Sequence, residues 1–184
     1  MKTIRIGKSG LTGSRLAYGC WRIAGSWNPA EVTPDTLAAG KRAVLAAYES
    51  GYTVFDLADI YCHGRCEELF GEVLRETAGM RERVIVATKC GIRRAGHPSP
   101  ESPQRWDFSG EYIVHACEES LRRMKVETID LLMLHRPDYL ADPHEIAGAF
   151  LQLYDAGKVR CFGVSNFRPS LLSALQAACP LPLV

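Results

Sequence analysis

The chain has 184 residues, 47% of them hydrophobic, so it is long enough to bury one core of ordinary size. Its 22 basic and 21 acidic side chains leave a net charge of +1, which argues against a nucleic-acid-binding face and against an acidic tail. No apolar run approaches the roughly 20 residues of a membrane helix, and the first residues do not resemble a signal peptide. We therefore expect a soluble, cytoplasmic protein.

Seven cysteines are many for this length, but they are odd in number and scattered along the chain. The closest pair is Cys62 and Cys66, with His63 between them, and no second ligand pair follows at the spacing of a zinc site. We therefore expect no metal site. Reduced, mostly buried thiols in a cytosolic protein are the better interpretation.

The first half of the chain alternates β-like runs with helical patterns. Trp21 and Trp27, in the loop after the first core strand, either line a pocket or cover the rim of the fold. Thr33 followed by Pro34 predicts a helix start, and Gly51 predicts its end. The predicted elements are a hairpin over 3–6 and 14–18, a core strand over 16–20, a helix over 34–50, a strand over 53–56 and a helix over about 66–76.

The second half continues the alternation. Residues 91–108 form the longest predicted loop, and a loop of this length in a compact domain is usually functional or mobile. Ser109 predicts a helix start, and Asp142 with Glu145 resembles a capping box that has proline in its first turn. The predicted elements are strands over 84–88, 129–134 and 160–164, helices over 110–124, 143–156 and 169–178, and the start of a sixth strand at 181–184.

This alternation of apolar strands and helices predicts an α/β fold with a parallel sheet covered by helices. Two architectures are built this way, the (β/α)8 barrel and the doubly wound sheet. No glycine-rich phosphate-binding pattern follows the first strand, which weighs against a dinucleotide-binding doubly wound domain. Reactive residues at the carboxyl ends of successive strands fit the barrel better.

Four such residues stand at strand ends. Asp56 closes one predicted strand and Tyr61 lies five residues later, Lys89 follows the next strand, and His135 follows the one after that. A single Asp, Lys or His at a strand end is more often a structural hydrogen-bond partner than a catalyst. Four reactive side chains at the same end of three neighbouring strands favour a common site.

The residue types predict acid catalysis on a carbonyl group. The positive charge of Lys89 would favour the ionised form of Tyr61, and Asp56 would hold Lys89 in place. Tyr61 could then donate its proton to a carbonyl oxygen that gains negative charge, while His135 orients that oxygen by a hydrogen bond. Such a reaction needs a hydride donor, which no side chain supplies and a nicotinamide cofactor would.

With these residues in view, the chain resembles the aldo-keto reductase family, most closely its bacterial oxidoreductase branch. The motifs that carry the resemblance are Phe55-Asp56-Leu57-Ala58-Asp59-Ile60-Tyr61, Thr88-Lys89-Cys90-Gly91, Leu132-Met133-Leu134-His135-Arg136-Pro137-Asp138, Gly157-Lys158-Val159-Arg160 and Gly163-Val164-Ser165-Asn166-Phe167.

The resemblance implies a role for each site residue. Asp56, Tyr61, Lys89 and His135 would be the catalytic tetrad, with Tyr61 as the acid. Two further assignments follow from it: Ser165 and Asn166 would hold the nicotinamide carboxamide, and Trp21 would line the substrate pocket. The cofactor would be NADPH, with NADH as the alternative, and the substrate a small-molecule aldehyde or ketone.

Two departures from the family pattern qualify these expectations. Tyr61 is commonly followed by glycine in this family, whereas here Cys62 and His63 come first, which leaves the shape of this loop open. The family has a full eight-stranded barrel, and this chain reaches about the sixth strand. Residues 1–184 would then be an incomplete barrel domain, from a fragment or a shortened product. The alternative function is a truncated member that is inactive or only binds cofactor as a regulatory subunit.

Overall fold

The computed structural model describes all residues from Met1 to Val184. The strands are Thr3–Arg5 (β1), Thr12–Ser14 (β2), Tyr18–Gly19 (β3), Val54–Asp56 (β4), Ile85–Cys90 (β5), Ile92–Arg93 (β6), Arg105–Trp106 (β7), Ile129–Leu134 (β8) and Val159–Val164 (β9). The helices are Pro34–Glu49 (α1), Arg65–Glu76 (α2), Gly110–Met124 (α3), Pro143–Asp155 (α4) and Pro169–Ala178 (α5).

Five strands form one parallel sheet in the order β3-β4-β5-β8-β9, and a helix follows each strand along the chain. The central strand β5 is buried along its whole length, which is why its sequence is nearly continuous in apolar residues. One face of the sheet packs against the helices through large side chains such as Phe55, Leu132 and Phe162. The opposite face carries a smaller apolar cluster that includes Ile85 and Leu131. The predicted parallel sheet is therefore confirmed.

Asp130 fixes the register of the three strands that carry the later site residues. Its buried carboxylate accepts a hydrogen bond from the Val86 amide at 2.9 Å and forms ion pairs with Arg81 at 2.9 Å and Arg160 at 2.8 Å. The carboxylate thus joins β5, β8 and β9 near their amino ends. Because parallel strands keep one register along their length, this junction also sets the relative positions of the residues at the other end.

The helix starts follow the predicted signals, with one exception. At α1, the Thr33 hydroxyl accepts from the Thr36 amide and the Thr36 hydroxyl accepts from the Thr33 amide, a reciprocal cap. At α4, the Asp142 carboxylate caps the His144 amide at 2.9 Å. The predicted capping box is wrong there, because Glu145 instead accepts a hydrogen bond from the Gly110 amide at 2.8 Å. Glu145 therefore links the starts of α3 and α4.

The predicted long loop is partly ordered into a second hairpin. Strands β6 and β7 pair antiparallel, with Ile92 opposite Trp106. An ion pair of 2.7 Å between Arg93 and Asp107 supports the hairpin at its base. Gly91 precedes it with φ +108°, and a Cβ atom there would lie 1.8 Å from the Phe108 ring, so only glycine fits. Pro98, Pro100 and Pro103 lie between the two strands.

Two further boundaries differ from the sequence prediction or extend it. The first hairpin, β1 with β2, is present, but its second strand is Thr12–Ser14 and not residues 14–18. At the other end of the chain, Leu183 forms a parallel bridge with Phe162, and the Val184 amide donates to the Phe162 carbonyl at 2.9 Å. The predicted start of a sixth strand beside β9 is therefore confirmed. No helix combines the length and apolar character needed to cross a membrane.

Candidate active site

The four strand-end residues meet at the carboxyl end of the parallel sheet. Asp56 is the last residue of β4, Lys89 lies one residue before the end of β5, and His135 follows β8 directly. Lys89 Nζ lies 2.7 Å from Asp56 Oδ1 and 3.1 Å from the Tyr61 hydroxyl oxygen. The imidazole of His135 packs edge-on against the Tyr61 ring with 5.7 Å between centroids. The structure thus brings all four side chains together.

Lys89 is held by three acceptors that match its three protons. Besides Asp56 and Tyr61, its Nζ donates to the Leu57 carbonyl at 2.8 Å, and the side chain is buried. An ammonium group has three donors and no acceptor, so all of its hydrogen-bonding capacity is used. The Tyr61 oxygen is the acceptor in this contact, which leaves the hydroxyl hydrogen of Tyr61 free to point elsewhere.

Tyr61 is positioned by backbone bonds that continue beyond β4. The Leu57 amide donates to the Ala87 carbonyl at 2.8 Å, and the Asp59 amide donates to the Lys89 carbonyl at 3.0 Å. The Tyr61 amide then donates to the Ala58 carbonyl at 3.1 Å, which turns the chain away from the sheet. The segment 57–61, the donor segment, is therefore tied to β5.

The residues after Tyr61 take the place of the glycine that the family pattern leads one to expect. Cys62 and His63 both have left-handed backbone conformations, with φ values of 45° and 55°, and Gly64 follows at 87°. Left-handed conformations are unfavourable for residues other than glycine and asparagine. This turn therefore stores backbone strain. The buried Cys62 side chain, which is packed in the core, keeps the turn in place.

His135 is a neutral imidazole at neutral pH. Burial first, and then the positive charges of Lys89 and Arg136, lowers the pKa of His135 to about 4. Its backbone amide donates to the Cys90 carbonyl at 2.9 Å, while its buried Nδ1 atom has no hydrogen-bond partner. A neutral imidazole carries one N–H donor, which suits a group that hydrogen-bonds a substrate oxygen.

This depressed pKa predicts a pH-dependent stability. Since the unfolded chain takes up the proton near pH 6.5 and the folded protein only near 4, the folded state loses stability as the pH falls through that window. At pH 4.5 we expect His135 to lower the free energy of unfolding by about 2 to 3 kcal/mol relative to pH 7.5. Urea unfolding of the wild type and of His135→Gln at both pH values measures this difference.

The control is His144→Gln, which replaces an exposed histidine. Its free energy of unfolding should change between the two pH values as much as that of the wild type. If His135→Gln and the wild type lose the same stability between the two pH values, the imidazole does not titrate as the burial predicts.

Ser165 and Asn166 follow β9 and lie beside His135. The two amide hydrogens of Asn166 are used by the His135 carbonyl at 3.0 Å and the Ser165 hydroxyl oxygen at 2.9 Å. Asn166 itself has φ 64°, and the Ser165 amide donates to the Leu134 carbonyl at 2.8 Å. One hydroxyl hydrogen on Ser165 and one amide oxygen on Asn166 remain free. This donor and acceptor pair fits a carboxamide group, which has one acceptor oxygen and an NH₂ donor.

The tryptophans occupy different positions relative to the site. Trp27 packs edge-on against Tyr61 with 5.7 Å between ring centroids. Trp21, the predicted pocket residue, packs against Trp27 at 5.6 Å and lies next to the Arg22 guanidinium. Trp27 therefore stands between Trp21 and Tyr61. The sequence indicated both tryptophans as residues of a pocket or of the rim, and the family resemblance singled out Trp21.

The buried carboxylate of Glu67, behind the site, was not predicted from the sequence. Glu67, in the first turn of α2, is fully buried and accepts from the Thr88 hydroxyl at 2.6 Å and from Arg123 Nε at 2.7 Å. Thr88 precedes Lys89 on β5, so this contact supports the strand from the side of the helices. The signal was the position of Glu67 three residues before Phe70, which places a charge on the apolar face of α2.

The family model described as the aldo/keto reductase family matches residues 15–184, and the chain belongs to this family. It is 39% identical over 178 residues to a 6-dehydroglucose reductase of Novosphingobium aromaticivorans, over 94% of this chain and 54% of that protein. The family resemblance of the sequence motifs is thereby confirmed.

Solved structures of relatives show the same fold. The glycerol dehydrogenase AKR11B4 from Gluconobacter oxydans superposes with a TM-score of 0.84 at 35% identity, over 97% of this chain and 53% of that one. The aldo-keto reductase AKR11C1 from Bacillus halodurans, in its holo form, gives a TM-score of 0.83 at 29% identity, over 98% and 55%. The predicted barrel-type α/β fold is confirmed, and the chain spans about half the length of these relatives.

Proposed function

We propose that the protein containing this chain reduces an aldehyde or ketone to an alcohol, with NADPH as the hydride source and Tyr61 as the proton donor. The observation that carries the proposal is the hydrogen bond of 3.1 Å from Lys89 Nζ to the Tyr61 oxygen, together with the ion pair between Lys89 and Asp56. This arrangement leaves the Tyr61 proton available and places a positive charge beside the phenolate that its departure creates.

Each residue of the tetrad then has a defined task. Tyr61 gives its proton to the substrate oxygen as negative charge develops there, and Lys89 stabilises the resulting phenolate. Asp56 holds Lys89 in position through the contact of 2.7 Å. His135, which is neutral because burial lowers its pKa to about 4, donates one N–H to the same substrate oxygen and orients it.

Ser165 and Asn166 would hold the nicotinamide carboxamide through their free hydroxyl hydrogen and amide oxygen. When bound, the cofactor supplies the hydride, which no side chain of the protein can supply. Trp27 beside Tyr61, with Trp21 behind it, would form an apolar wall for the substrate. Seven free and buried cysteines suit a reducing, cytoplasmic compartment.

The proposal is tested by carbonyl-dependent oxidation of NADPH, measured with a reactive aromatic aldehyde and with glyceraldehyde. The second substrate is included because two relatives are named as reducing or oxidising polyhydroxy compounds. In Lys89→Met we expect the turnover number to fall by at least about 10²-fold, since the positive charge that stabilises the developing phenolate is gone. Asp56→Asn should produce a smaller fall.

Lys41→Met is the matched control, because Lys41 pairs with Glu72 and Glu76 on the surface of the helices. The turnover number of this control should equal that of the wild type. Absence of carbonyl-dependent oxidation in the wild type would refute the proposed reaction. An undiminished turnover number in Lys89→Met would show instead that Lys89 does not support the proton donor.

A further inference from the structure

A polar cavity lies outside the candidate active site. It opens between the donor segment, the β6–β7 hairpin and one face of α3, and its volume is about 270 Å³. None of the four tetrad residues lines it. The polar side chains that face this cavity, the α3 cavity, include Asp59, His63, Arg94, His97, Tyr112 and His115.

Two charged groups of the α3 cavity have buried atoms without hydrogen-bond partners. They are Oδ1 of Asp59 and Nη1 of Arg94, so the two side chains do not bond each other through these atoms. A buried polar atom left without a partner costs about 1 to 3 kcal/mol, and more for a charged group. Both side chains line the cavity and neither forms an ion pair, so the carboxyl of Asp59 and the guanidinium of Arg94 have bonding capacity that a polar ligand between them would use.

The other charged side chains of the cavity are already engaged. Arg93 pairs with Asp107 at 2.7 Å, and Arg123 pairs with Glu67 at 2.7 Å. Glu119 pairs with Arg122 at 2.5 Å. Among the arginines of the cavity, Arg94 is consequently the one that has no carboxylate partner. Because its guanidinium keeps its charge at neutral pH, it offers a charged donor for an anion.

Asp59 does not oppose an anion at neutral pH. Burial first, and then the nearby Glu67 carboxylate, raises the pKa of Asp59 to about 8. A protonated carboxyl group carries an O–H donor, so Asp59 can donate to an anionic oxygen in place of repelling it. His63 is kept neutral because burial, with Arg94 and His97 nearby, lowers its pKa. The free charge in the cavity is therefore positive.

We propose that the α3 cavity binds a small oxyanion of the phosphate type, held between Arg94 and Asp59. Such an ion has several acceptor oxygens for the guanidinium and for a carboxyl O–H. The site is distinct from the one proposed for the carboxamide of the cofactor. It adjoins the donor segment, in which Asp59 lies two residues before Tyr61 and donates its amide to the Lys89 carbonyl.

The test is isothermal titration of the purified protein with inorganic phosphate, at pH 7 in a buffer free of other oxyanions and without cofactor. We expect saturable binding that Arg94→Met weakens at least about 10-fold, the effect of losing one charged hydrogen bond. Asp59→Asn should bind within about threefold of the wild type, because its amide also donates. Arg15→Met, which removes an exposed arginine elsewhere, is the matched control and should bind as the wild type does.

Three results would overturn the proposal. The first is no saturable binding, which leaves a cavity filled by water alone. The second is an Arg94→Met variant that is folded by circular dichroism and binds phosphate like the wild type. The third is displacement of the phosphate by NADPH, which would place the ion in the cofactor site. None of these readouts depends on reductase activity, so failure here and failure of the proposed reaction are distinguishable.

Discussion

Tyr61→Phe is expected to lower the turnover number for carbonyl reduction by at least about 10²-fold, the lower range for loss of a general acid. The phenylalanine ring would keep the edge-on contacts with Trp27 and His135, each at 5.7 Å, so the packing around it should persist. The substitution removes the hydroxyl proton of Tyr61 and the oxygen that accepts a hydrogen bond from Lys89 at 3.1 Å. The measurement is steady-state NADPH oxidation with a saturating aldehyde.

The control for this variant is Tyr154→Phe on α4, an exposed tyrosine that contacts no site residue described above. Its turnover should match that of the wild type. The Michaelis constant of Tyr61→Phe should change less than its turnover, since the lost interaction develops in the transition state. Aldehyde reduction at an undiminished rate in Tyr61→Phe would remove Tyr61 from the role of acid.

Glu67→Ala is expected to destabilise the fold by about 3 to 5 kcal/mol, the cost of breaking a buried ion pair by removing one partner. The change leaves the mostly buried Arg123 without its carboxylate and the buried Thr88 hydroxyl without its acceptor. For a chain of this length we expect the midpoint of thermal unfolding to fall by roughly 6 to 20 °C. Differential scanning calorimetry gives the midpoint directly.

Glu68→Ala is the matched control from the adjacent position. Glu68 forms an ion pair with Arg65 in which both side chains are exposed to solvent, so its removal should cost less than about 1 kcal/mol. Equal midpoints for the two variants would show that burial of the Glu67 network does not contribute to stability.

The long elements could be predicted from the sequence because several signals coincide in each. The strand Ile129–Leu134 and the helix Pro169–Ala178 are observed at their predicted bounds. A run without glycine or proline that is apolar except for Asp130 defines the first, and proline at the first helical position defines the second. The alternation of such elements determines the order of the parallel sheet, and hence which strand ends adjoin.

The missed features are those that depend on contacts between distant residues. The β6–β7 hairpin has two residues in each strand and pairs Arg93 with Arg105, so it has no apolar alternation to detect. Glu67 acquires its position from the approach of α2 to β5, and the contact of Trp27 with Tyr61 depends on the approach of the loop after β3 to the donor segment. The proximity of Asp56, Tyr61, Lys89 and His135 was predictable because strand ends in a parallel sheet share one edge.

The backbone bonds from Leu57 and Asp59 to β5 have a consequence for the energetics of binding. Ordering the backbone of one residue costs about 1 to 2 kcal/mol of conformational entropy. Since the donor segment continues the strand ladder, this cost for the residues leading to Tyr61 is incurred when the protein folds and not when a substrate arrives. The reacting hydroxyl is then preorganised, and docking of a carbonyl compound should proceed as to a rigid surface, without a slow conformational step before chemistry.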